Sequence, residues 1–300
     1  MEMCMLDWNT PKLSDKEWIE KCVKESQYIG SDAAFANIYL LRSKYNIKVT
    51  YYKDLLIRYY EGLGNRKGYT FPLGRKDVLS ALYAIEQDAK EMNRPLEFCF
   101  VTEEQKEILE NTFAGRTESS SDAGDYDYIY GQPELSLLSG RTYHKKKNHV
   151  SKFKRTYEDY MFCEIGNGNL DDVMLIEDEW YYDRLQQDDT SAMKEYEAIR
   201  EAVDNFEELS LSGGIIYANN VPVAMTIASY INDAAVDIHF EKAVGEYAVN
   251  GGFAAINQMY ASTLKDVKFI NREEDINIPG LRKAKESYHP KFMLKKYGVR

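Results

Sequence analysis

The chain has 300 residues and a mass of 34.8 kDa, roughly twice the length of an average single domain. Hydrophobic residues make up 44% and charged residues 29%, which is typical of a folded globular protein and excludes a disordered one. The net charge of −11 argues against a general affinity for nucleic-acid backbones, and no apolar run reaches the ~20 residues that span a bilayer.

The first half of the chain predicts two helices, then strands alternating with further helices. The residues at 14–17 and at 31–32 have the pattern of helix starts. A polar loop at 117–125 leads to an aromatic run at 126–130. The predicted strands are 47–52, 55–60, 68–73 and 96–101, and the two later helices are 76–92 and 102–111.

The second half repeats this order, with a tight hairpin turn predicted at Asn219-Asn220. Its predicted strands are 161–165, 214–218, 221–231, 234–240, 267–270 and 292–297, and its helices are 170–187, 190–208, 252–264 and 281–288. Each half therefore reads α-α-β-β-β-α-β-α-β, which predicts a structural duplication. We expect two domains, 1–140 and 141–300, with a hinge at 137–141 and a basic connecting helix at 141–157.

Charge is strongly segregated along the chain. Residues 171–208 carry 14 acidic and three basic side chains, whereas the segments 141–155 and 282–300 each carry seven basic residues. The two basic segments together hold a net charge of +13, so the rest of the chain holds −24. This pattern fits a basic groove on an acidic body, and it fits equally well basic and acidic segments that neutralise each other internally.

The cysteines and histidines predict no metal site. Cys4, Cys22, Cys99 and Cys163 lack metal-ligand spacing, and the four histidines are scattered. We interpret the cysteines as reduced thiols. Residues 1–10 lack the basic and apolar regions of a signal peptide, so we expect a cytoplasmic protein. The sequence indicates no particular oligomeric state.

The order of elements resembles the GNAT acyltransferase fold, in which helices and an antiparallel meander precede a helix and a strand added in parallel. The resemblance implies an α/β (α+β) fold of two tandem GNAT-like domains. Each domain is expected to contain a mixed, mostly antiparallel sheet flanked by helices.

Three stretches are similar to one bacterial family, which is named for the C-terminal domain of phosphatidylglycerol lysyltransferase. They are HFEKA at 239–243, NREEDINIPGLRKAKESYHP at 271–290 and HKKKNHVSKFKR at 144–155. The resemblance covers essentially the whole chain and implies tandem GNAT domains related to aminoacyl-tRNA-dependent transferases. We expect the chain to lack the membrane-spanning half of the lysyltransferases, which argues against a phospholipid acceptor.

Acyl transfer in this fold requires a positioned donor, a base for the nucleophile and hydrogen-bond donors for the oxyanion. Strand alternation places Asp237, His239 and Glu241 on one face of a central strand. Glu241 or His239 is the candidate general base, with Asp237 orienting its neighbour; ion pairing with the basic segments is the structural alternative. The GNAT resemblance makes Tyr288 the candidate general acid, although core packing explains this tyrosine equally well.

Charged and polar residues crowd the end of the predicted strand 267–270 and the helix that follows it. GNAT sheets splay between their fourth and fifth strands, so this end should border the same cleft as Glu241. Arg272 suits a phosphate or carboxylate, and nearby acids suit a cationic amino group; helix capping by Asp275 is the structural alternative. The candidate substrate-binding residues are Asn271, Arg272, Glu273, Asp275, Arg282 and Lys285.

In GNAT enzymes a cofactor pyrophosphate lies on the N-terminus of the helix after the fourth strand. The corresponding turn here contains Asn250, Gly251 and Gly252, whose N–H groups and positive helix end would suit an anion. The usual glycine-spaced pattern led by Gln or Arg is absent, and a tight turn explains the glycines equally well. Acetyl-CoA and an aminoacyl-tRNA therefore both stay open as acyl donors, and neither is required by the sequence.

The basic segment 144–155 is the candidate contact for a polyanion. Val150, Phe153 and Tyr157 recur at helical spacing, so we expect a helix with an exposed basic face. Such a face would suit tRNA, and pairing with the acidic stretch 171–208 is the alternative. The basic residues concerned are Lys145, Lys146, Lys147, Lys152, Lys154 and Arg155.

Three functions remain in competition. The first is transfer of an acyl or aminoacyl group, with an aminoacyl-tRNA as donor, to an amine or a hydroxyl. The second is non-catalytic binding of tRNA or another anion by a degenerate GNAT fold, and the third is acetyl-CoA-dependent N-acetylation. We expect the first domain to be mainly structural or to shape the substrate site, because no comparable charged run follows its strand 96–101 apart from Glu103-Glu104.

Overall fold

The structure, a computed structural model, describes residues 6–185 and 192–300. Two mixed sheets flanked by helices confirm the expected α/β class. Cys4 and the residues between the predicted helices 170–187 and 190–208 lie outside the described residues. No helix in the described part of the chain has the length and apolar character needed to cross a bilayer.

The elements follow the predicted order closely. The strands are β1 (Lys48–Tyr52), β2 (Leu55–Glu61), β3 (Lys67–Thr70), β4 (Phe98–Val101), β5 (Ser119–Ser121), β6 (Asp127–Gly131), β7 (Met161–Glu164), β8 (Ser212–Ala218), β9 (Val221–Asn232), β10 (Ala235–Ala243), β11 (Phe269–Asn271), β12 (Phe292–Leu294) and β13 (Tyr297–Val299). The α-helices are α1 (Lys16–Ser26), α2 (Phe35–Leu40), α3 (Leu79–Glu91), α4 (Glu103–Thr112), α5 (Gln132–Leu137), α6 (His144–Thr156), α7 (Leu170–Leu185), α8 (Ala192–Asp204), α9 (Gly245–Val249), α10 (Gly252–Thr263) and α11 (Pro279–Glu286). Short 3₁₀ helices lie at Leu13–Asp15, Ser31–Ala33, Gly64–Arg66, Ala123–Asp125 and Arg141–Tyr143.

The first sheet has the strand order β1-β2-β3-β4-β13-β5. Strands β1, β2 and β3 form an antiparallel meander, and β4 joins β3 in parallel after helix α3. Apolar side chains of β2, β3 and β4 pack against α3 to form the core of this half. The meander followed by a parallel strand is the arrangement expected of a GNAT-like domain.

The second sheet has the strand order β12-β6-β11-β10-β9-β8-β7. Strands β8, β9 and β10 are antiparallel, and β11 joins β10 in parallel after helix α10. The hairpin between β8 and β9 turns at Asn219 and Asn220, whose φ angles of 52° and 62° are those of a type I′ turn. Both sheets therefore repeat the same motif, and the expected tandem GNAT-like fold is confirmed.

Each compact unit contains a segment from the other half of the chain, which the predicted division at 140/141 did not anticipate. One unit comprises 1–128, 273–282 and 293–300, and the other comprises 129–272 and 283–292. The predicted strand 292–297 is in fact two short strands, since β12 belongs to the second sheet and β13 to the first. The first sheet consequently takes its fifth strand from the C-terminus of the chain.

Candidate functional site

Strands β10 and β11 of the second unit pair only over three residues and then separate. Their last paired residues are Asp237 and Asn271, after which β10 continues to Ala243. Side chains that follow these positions therefore border an opening in the sheet. Glu241 on β10 and Arg272 after β11 meet at this opening.

Glu241 and Arg272 form an ion pair whose side chains are only about one-tenth exposed. Glu241 Oε1 lies 2.7 Å from Arg272 Nη2, and Glu241 Oε2 accepts a hydrogen bond of 3.0 Å from Asn257 Nδ2 on α10. Burial alone would lower the pKa of Arg272, but the Glu241 carboxylate together with Tyr130 and Tyr288 holds that pKa above its ordinary value. The guanidinium is therefore a fixed positive charge, and both carboxylate oxygens are already in use.

Two buried polar atoms beside this ion pair have no hydrogen-bond partner among the described residues. They are Arg272 Nη1, a donor, and Asn257 Oδ1, an acceptor. An unsatisfied buried polar atom costs about 1–3 kcal/mol, so proteins retain such atoms where water or a ligand completes them. A ligand group that carries both an acceptor and a donor, such as an aminoacyl group, would satisfy both atoms.

Tyr288 and Lys146 lie against the same guanidinium. The centre of the buried Tyr288 ring is 4.7 Å from the Arg272 guanidinium carbon and 3.7 Å from Lys146 Nζ. Burial raises the pKa of Tyr288, so its hydroxyl stays protonated at neutral pH. Burial and the charge of Arg272 lower the pKa of Lys146 to about 8, so part of its population is neutral near that pH.

The structure places Asp237 and His239 together, as the alternation predicted, but with other contacts than a general base would need. His239 Nδ1 is 3.4 Å from Asp237 Oδ2, and His239 Nε2 is 2.8 Å from Ser229 Oγ on β9. A β-bulge between Ile238 and Phe240 interrupts the strand alternation around His239. Both ring nitrogens of His239 therefore have protein neighbours.

Two of the predicted substrate-binding residues, Asn271 and Lys285, are buried and hold the backbone around Arg272. Asn271 is fully buried and pairs with Asp237 across the strands. Lys285 is buried, and its ammonium donates to the backbone carbonyl of Arg272. The hydroxyl of Tyr130 in turn donates to the Lys285 carbonyl at 2.7 Å. These contacts hold the chain around Arg272 in place.

The other three predicted substrate-binding residues belong to the first unit and contact one another or its helices. Arg282 forms a bidentate pair with Asp275 at 2.7 and 2.8 Å, and Tyr128 donates to the same carboxylate at 2.7 Å. Glu273 accepts a hydrogen bond of 3.0 Å from Asn37. The Asp275 carboxylate is thus fully engaged, but none of these donors is a backbone N–H of helix α11, so they are not the helix cap of the structural alternative.

The turn predicted to hold a cofactor pyrophosphate packs directly against helix α6. The Asn250 side chain donates to the Tyr157 hydroxyl at 2.8 Å, and the N–H groups of Asn250 and Gly251 donate to backbone carbonyls within the turn. Gly251 has a φ of 103°, and a Cβ there would lie 2.4 Å from the His149 carbonyl oxygen. Close packing therefore explains Gly251, and Gly252 is likewise buried.

The basic segment forms helix α6, as predicted, but its lysines do not share one face. Lys146 points inward to Tyr288, Lys154 is half-buried near the Tyr160 ring, and Lys152 Nζ is 3.4 Å from the Val249 carbonyl oxygen. The exposed basic residues are Lys145, Lys147, Lys152 and Arg155. The proposed polyanion contact therefore rests on these four side chains.

Sequence reasoning missed Asn257 and assigned Lys146 to the wrong environment. Asn257 is 4% exposed in a helix whose neighbouring positions are Ala255, Ile256 and Met259. A polar residue on the buried face of an apolar helix is itself a signal of a site, and it could have identified Asn257. Helical spacing also separates Lys146 from the adjacent lysines, because it stands four residues before the buried Val150 and seven before the buried Phe153.

Comparison with known proteins supports the family resemblance. The family described as "Phosphatidylglycerol lysyltransferase, C-terminal" matches residues 24–300. The chain belongs to this family. A comparison with the curated proteins found no match.

Two solved structures show how far the likeness extends. A conserved protein of unknown function from Bacteroides thetaiotaomicron VPI-5482 is 30% identical, with a TM-score of 0.92 over 98% of this chain and 99% of that one. L-PGS from Bacillus licheniformis is 14% identical, with a TM-score of 0.64 over 95% of this chain and 91% of that one. The second likeness concerns the fold alone. Family and fold together support an acyltransferase-like function at a coarse level.

Proposed function

We propose that this protein transfers an aminoacyl group from an aminoacyl-tRNA to an amine or hydroxyl acceptor, and that the reaction takes place at Arg272 in the second unit. The observation that carries the proposal is the buried pair of unpartnered atoms, Arg272 Nη1 and Asn257 Oδ1, on either side of Glu241. An aminoacyl ester offers a carbonyl oxygen to Arg272 Nη1 and an ammonium group to Asn257 Oδ1. An acetyl group offers only the carbonyl oxygen.

The side chains around Arg272 can carry the proton transfers of such a reaction. Neutral Lys146 takes a proton from the acceptor while the nitrogen or oxygen of the acceptor attacks the ester carbonyl carbon. Negative charge develops on the carbonyl oxygen, where Arg272 Nη1 stabilises it. The ester C–O bond then breaks, the Tyr288 hydroxyl protonates the leaving ribose oxygen, and the Lys146 ammonium returns a proton to Tyr288.

In this scheme Glu241 is a positioning residue. Its two carboxylate oxygens hold Arg272 and Asn257. They therefore fix the hydrogen-bond donor Arg272 Nη1 and the hydrogen-bond acceptor Asn257 Oδ1 relative to each other. His239 and Asp237 support the neighbouring strand. The exposed lysines of helix α6 would contact the tRNA backbone, which predicts salt-sensitive binding.

The acetyl-CoA alternative receives less support from the turn at 250–252. Two of its N–H groups are already used within the turn, and the backbone of α6 lies where a larger residue at 251 would be. The described residues 245–252 include no lysine or arginine for a pyrophosphate. These features favour a donor held elsewhere.

The test uses the purified full chain and tRNAs charged one at a time with radiolabelled amino acids. With amine and hydroxyl acceptors present, we expect at least one charged tRNA to give a labelled product in amounts that depend on the protein. Arg272→Lys removes the second guanidinium nitrogen that faces the carbonyl oxygen, and kcat should fall about 100-fold.

Arg75→Lys is the matched control, because Arg75 is exposed and lies in the first unit. It should leave the rate unchanged. Transfer from acetyl-CoA with no transfer from any charged tRNA would refute the proposed donor. Binding of tRNA without any turnover, unaffected by Arg272→Lys, would favour the non-catalytic alternative.

A further inference from the structure

Lys146 is a half-buried amine whose nitrogen no carboxylate holds. Its Nζ lies 3.7 Å from the centre of the Tyr288 ring, and among residues 6–185 and 192–300 it forms no hydrogen bond or ion pair. The nearest charges that act on it are the Arg272 guanidinium and the Glu241 carboxylate, and the carboxylate is already paired with Arg272. A lysine that is desolvated beside another cation is the usual form of a nucleophilic lysine.

The lowered pKa of Lys146 sets the size of this effect. Burial and the charge of Arg272 lower that pKa to about 8, and Glu241 opposes the shift. At pH 7.5 about a quarter of such an amine is neutral, compared with about one in a thousand for a lysine with the ordinary pKa of about 10.4. The weaker base is about tenfold less nucleophilic if it follows the slope of about 0.4–0.5 known for thiols, so a net gain of about tenfold remains.

Arg272 supplies the second requirement of an acylation site, a hydrogen-bond donor for the carbonyl oxygen of the incoming acyl group. Its guanidinium carbon is 4.7 Å from the centre of the Tyr288 ring, so Arg272 and Lys146 lie against the same side chain. Arg272 Nη1 is buried and has no hydrogen-bond partner in the part of the chain that the structure describes. It can therefore stabilise the negative charge that develops on a carbonyl oxygen while Lys146 attacks the carbon.

The charges on helix α6 favour a small anionic acyl donor. Lys145 and Lys147 are exposed on either side of Lys146. Burial, Lys146 and Lys152 lower the pKa of His149, which shows that this surface has a positive potential. Such a potential concentrates phosphate anions. An acyl phosphate carries a reactive carbonyl carbon directly on an anion of this kind, and its phosphate is a good leaving group.

We propose that Lys146 is a modification site, which small acyl phosphates acylate at Nζ without another enzyme, and that this acylation prevents transfer at Arg272. The Nζ lone pair attacks the acyl carbon, and the bond from that carbon to the phosphate oxygen breaks. Inorganic phosphate leaves with the bonding electron pair, the nitrogen releases one proton to water, and nothing is oxidised or reduced. The amide that forms has no basic lone pair, so it cannot accept a proton from the acceptor. The effect on transfer rests on the proposed function, whereas the acylation does not.

The first measurement follows the acylation alone. The purified full chain is incubated with acetyl phosphate at pH 7.5, and mass spectrometry after digestion and fragmentation gives the rate at each lysine. Lys146 should react about tenfold faster than Lys145 or Lys147. In guanidinium chloride the fold is lost, and the three rates should agree within about twofold. Rates in the folded protein that agree within about threefold would overturn the proposal, and so would a preference for Lys146 that survives unfolding.

A variant tests the contribution of Arg272. Arg272→Gln removes both the neighbouring charge and the donor to the carbonyl oxygen, so the preference for Lys146 should fall at least about threefold. Arg75→Gln, an exposed arginine in the first unit, should leave the preference unchanged. Circular dichroism shows whether Arg272→Gln is folded; if it is not, the comparison of native and unfolded protein decides the question. An unchanged preference in folded Arg272→Gln would contradict the mechanism.

The second measurement links the acylation to transfer from a charged tRNA. The transfer rate should fall in proportion to the acetylated fraction of Lys146, and the double variant Lys145→Met/Lys147→Met should lose activity at the same fractional rate. Complete acetylation of Lys146 with an unchanged transfer rate would refute the effect on transfer. If no charged tRNA supports transfer, the proposed function and this effect fail together, whereas the mass-spectrometric comparison still decides whether Lys146 is a modification site.

Discussion

The protonation state of Lys146 should be visible in the pH dependence of the proposed reaction. Its pKa is lowered to about 8 by burial and by the charge of Arg272, and a base must be neutral to accept a proton. With a hydroxyl acceptor, which does not itself titrate in this range, we expect kcat to rise with pH and to level off above about 8. Lys146→Met should lower kcat and remove this inflection.

The control for this profile is the neighbouring lysine. Lys145 is exposed and carries the same charge, so Lys145→Met should keep the inflection while weakening tRNA binding slightly. Steady-state rates between pH 6 and 9.5 distinguish the two variants. An inflection that persists in Lys146→Met would assign the titration to another group.

A second pH-dependent prediction concerns Glu177 on α7 and the stability of the protein. It is 1% exposed, and its Oε2 lies 3.5 Å from Lys242 Nζ. Burial raises its pKa from 4.5 to about 7, although Lys242 opposes the shift. Because the pKa is higher in the folded state, the contribution of Glu177 to stability is complete below about pH 4.5 and is lost as the pH rises through 7.

Glu177→Gln should therefore stabilise the protein increasingly between pH 4.5 and 7.5, by up to about 3 kcal/mol at the upper end. Urea unfolding at a series of pH values measures the difference. Glu179→Gln, an exposed position on the same helix, should show no such trend. A stability difference for Glu177→Gln that does not change with pH would contradict the assignment.

At the scale of elements, the packing of α6 against the turn before α10 depends on one glycine. Gly251 has a φ of 103° and a missing Cβ that would lie 2.4 Å from the His149 carbonyl oxygen. Gly140 has a φ of 88° but open space around it. Gly251→Ala and Gly140→Ala share the cost of a positive φ, about 1–3 kcal/mol, and only the first adds a backbone clash.

We therefore expect Gly251→Ala to lower the free energy of unfolding by at least about 1 kcal/mol more than Gly140→Ala does. Chemical denaturation of the two variants measures this difference. If both lose the same amount, the backbone conformation alone explains Gly251, and the close approach of α6 contributes nothing to its choice.

Most elements could be predicted because their signals are local. The nearly continuous apolar run at 221–231 predicts the buried strand β9, and the recurrence of Val150 and Phe153 predicts α6. Lys146 stands four residues before Val150 and seven before Phe153, so helical spacing places it on the inward side of α6. Its partner was not predictable, because the contact with Tyr288 joins residues 142 positions apart.

At the scale of the whole molecule, the sequence also fails to predict how the C-terminal residues divide between the two sheets. The run 292–297 has the composition of one strand, yet it divides into β12 of the second sheet and β13 of the first. Lys296, which lies between β12 and β13 in the sequence, explains why this division is stable. Lys296 is 2% exposed and lies 3.0 Å from Asp32 Oδ1 and 2.7 Å from Asp127 Oδ1, so its ammonium fixes the end of the chain within the first unit.

Asp32 also pairs with the buried Arg58 at 3.0 Å, which makes the cluster a network of two cations and two carboxylates. Burial alone would lower the pKa of Lys296, but Asp127 and Asp32 raise it, so the lysine is charged. Lys296→Met would leave buried carboxylate charge uncompensated and should cost about 3–5 kcal/mol of unfolding free energy.

Lys295→Met is the matched control, because the adjacent lysine is exposed and its loss should change stability by no more than about 0.5 kcal/mol. Adding Asp127→Asn to Lys296→Met removes one orphaned charge and should restore part of the loss, since the remaining carboxylate still has Arg58. Urea unfolding followed by circular dichroism measures all three variants. Equal stability of Lys296→Met and Lys295→Met would mean that backbone pairing of β13, rather than the buried lysine, holds the C-terminus in the first sheet.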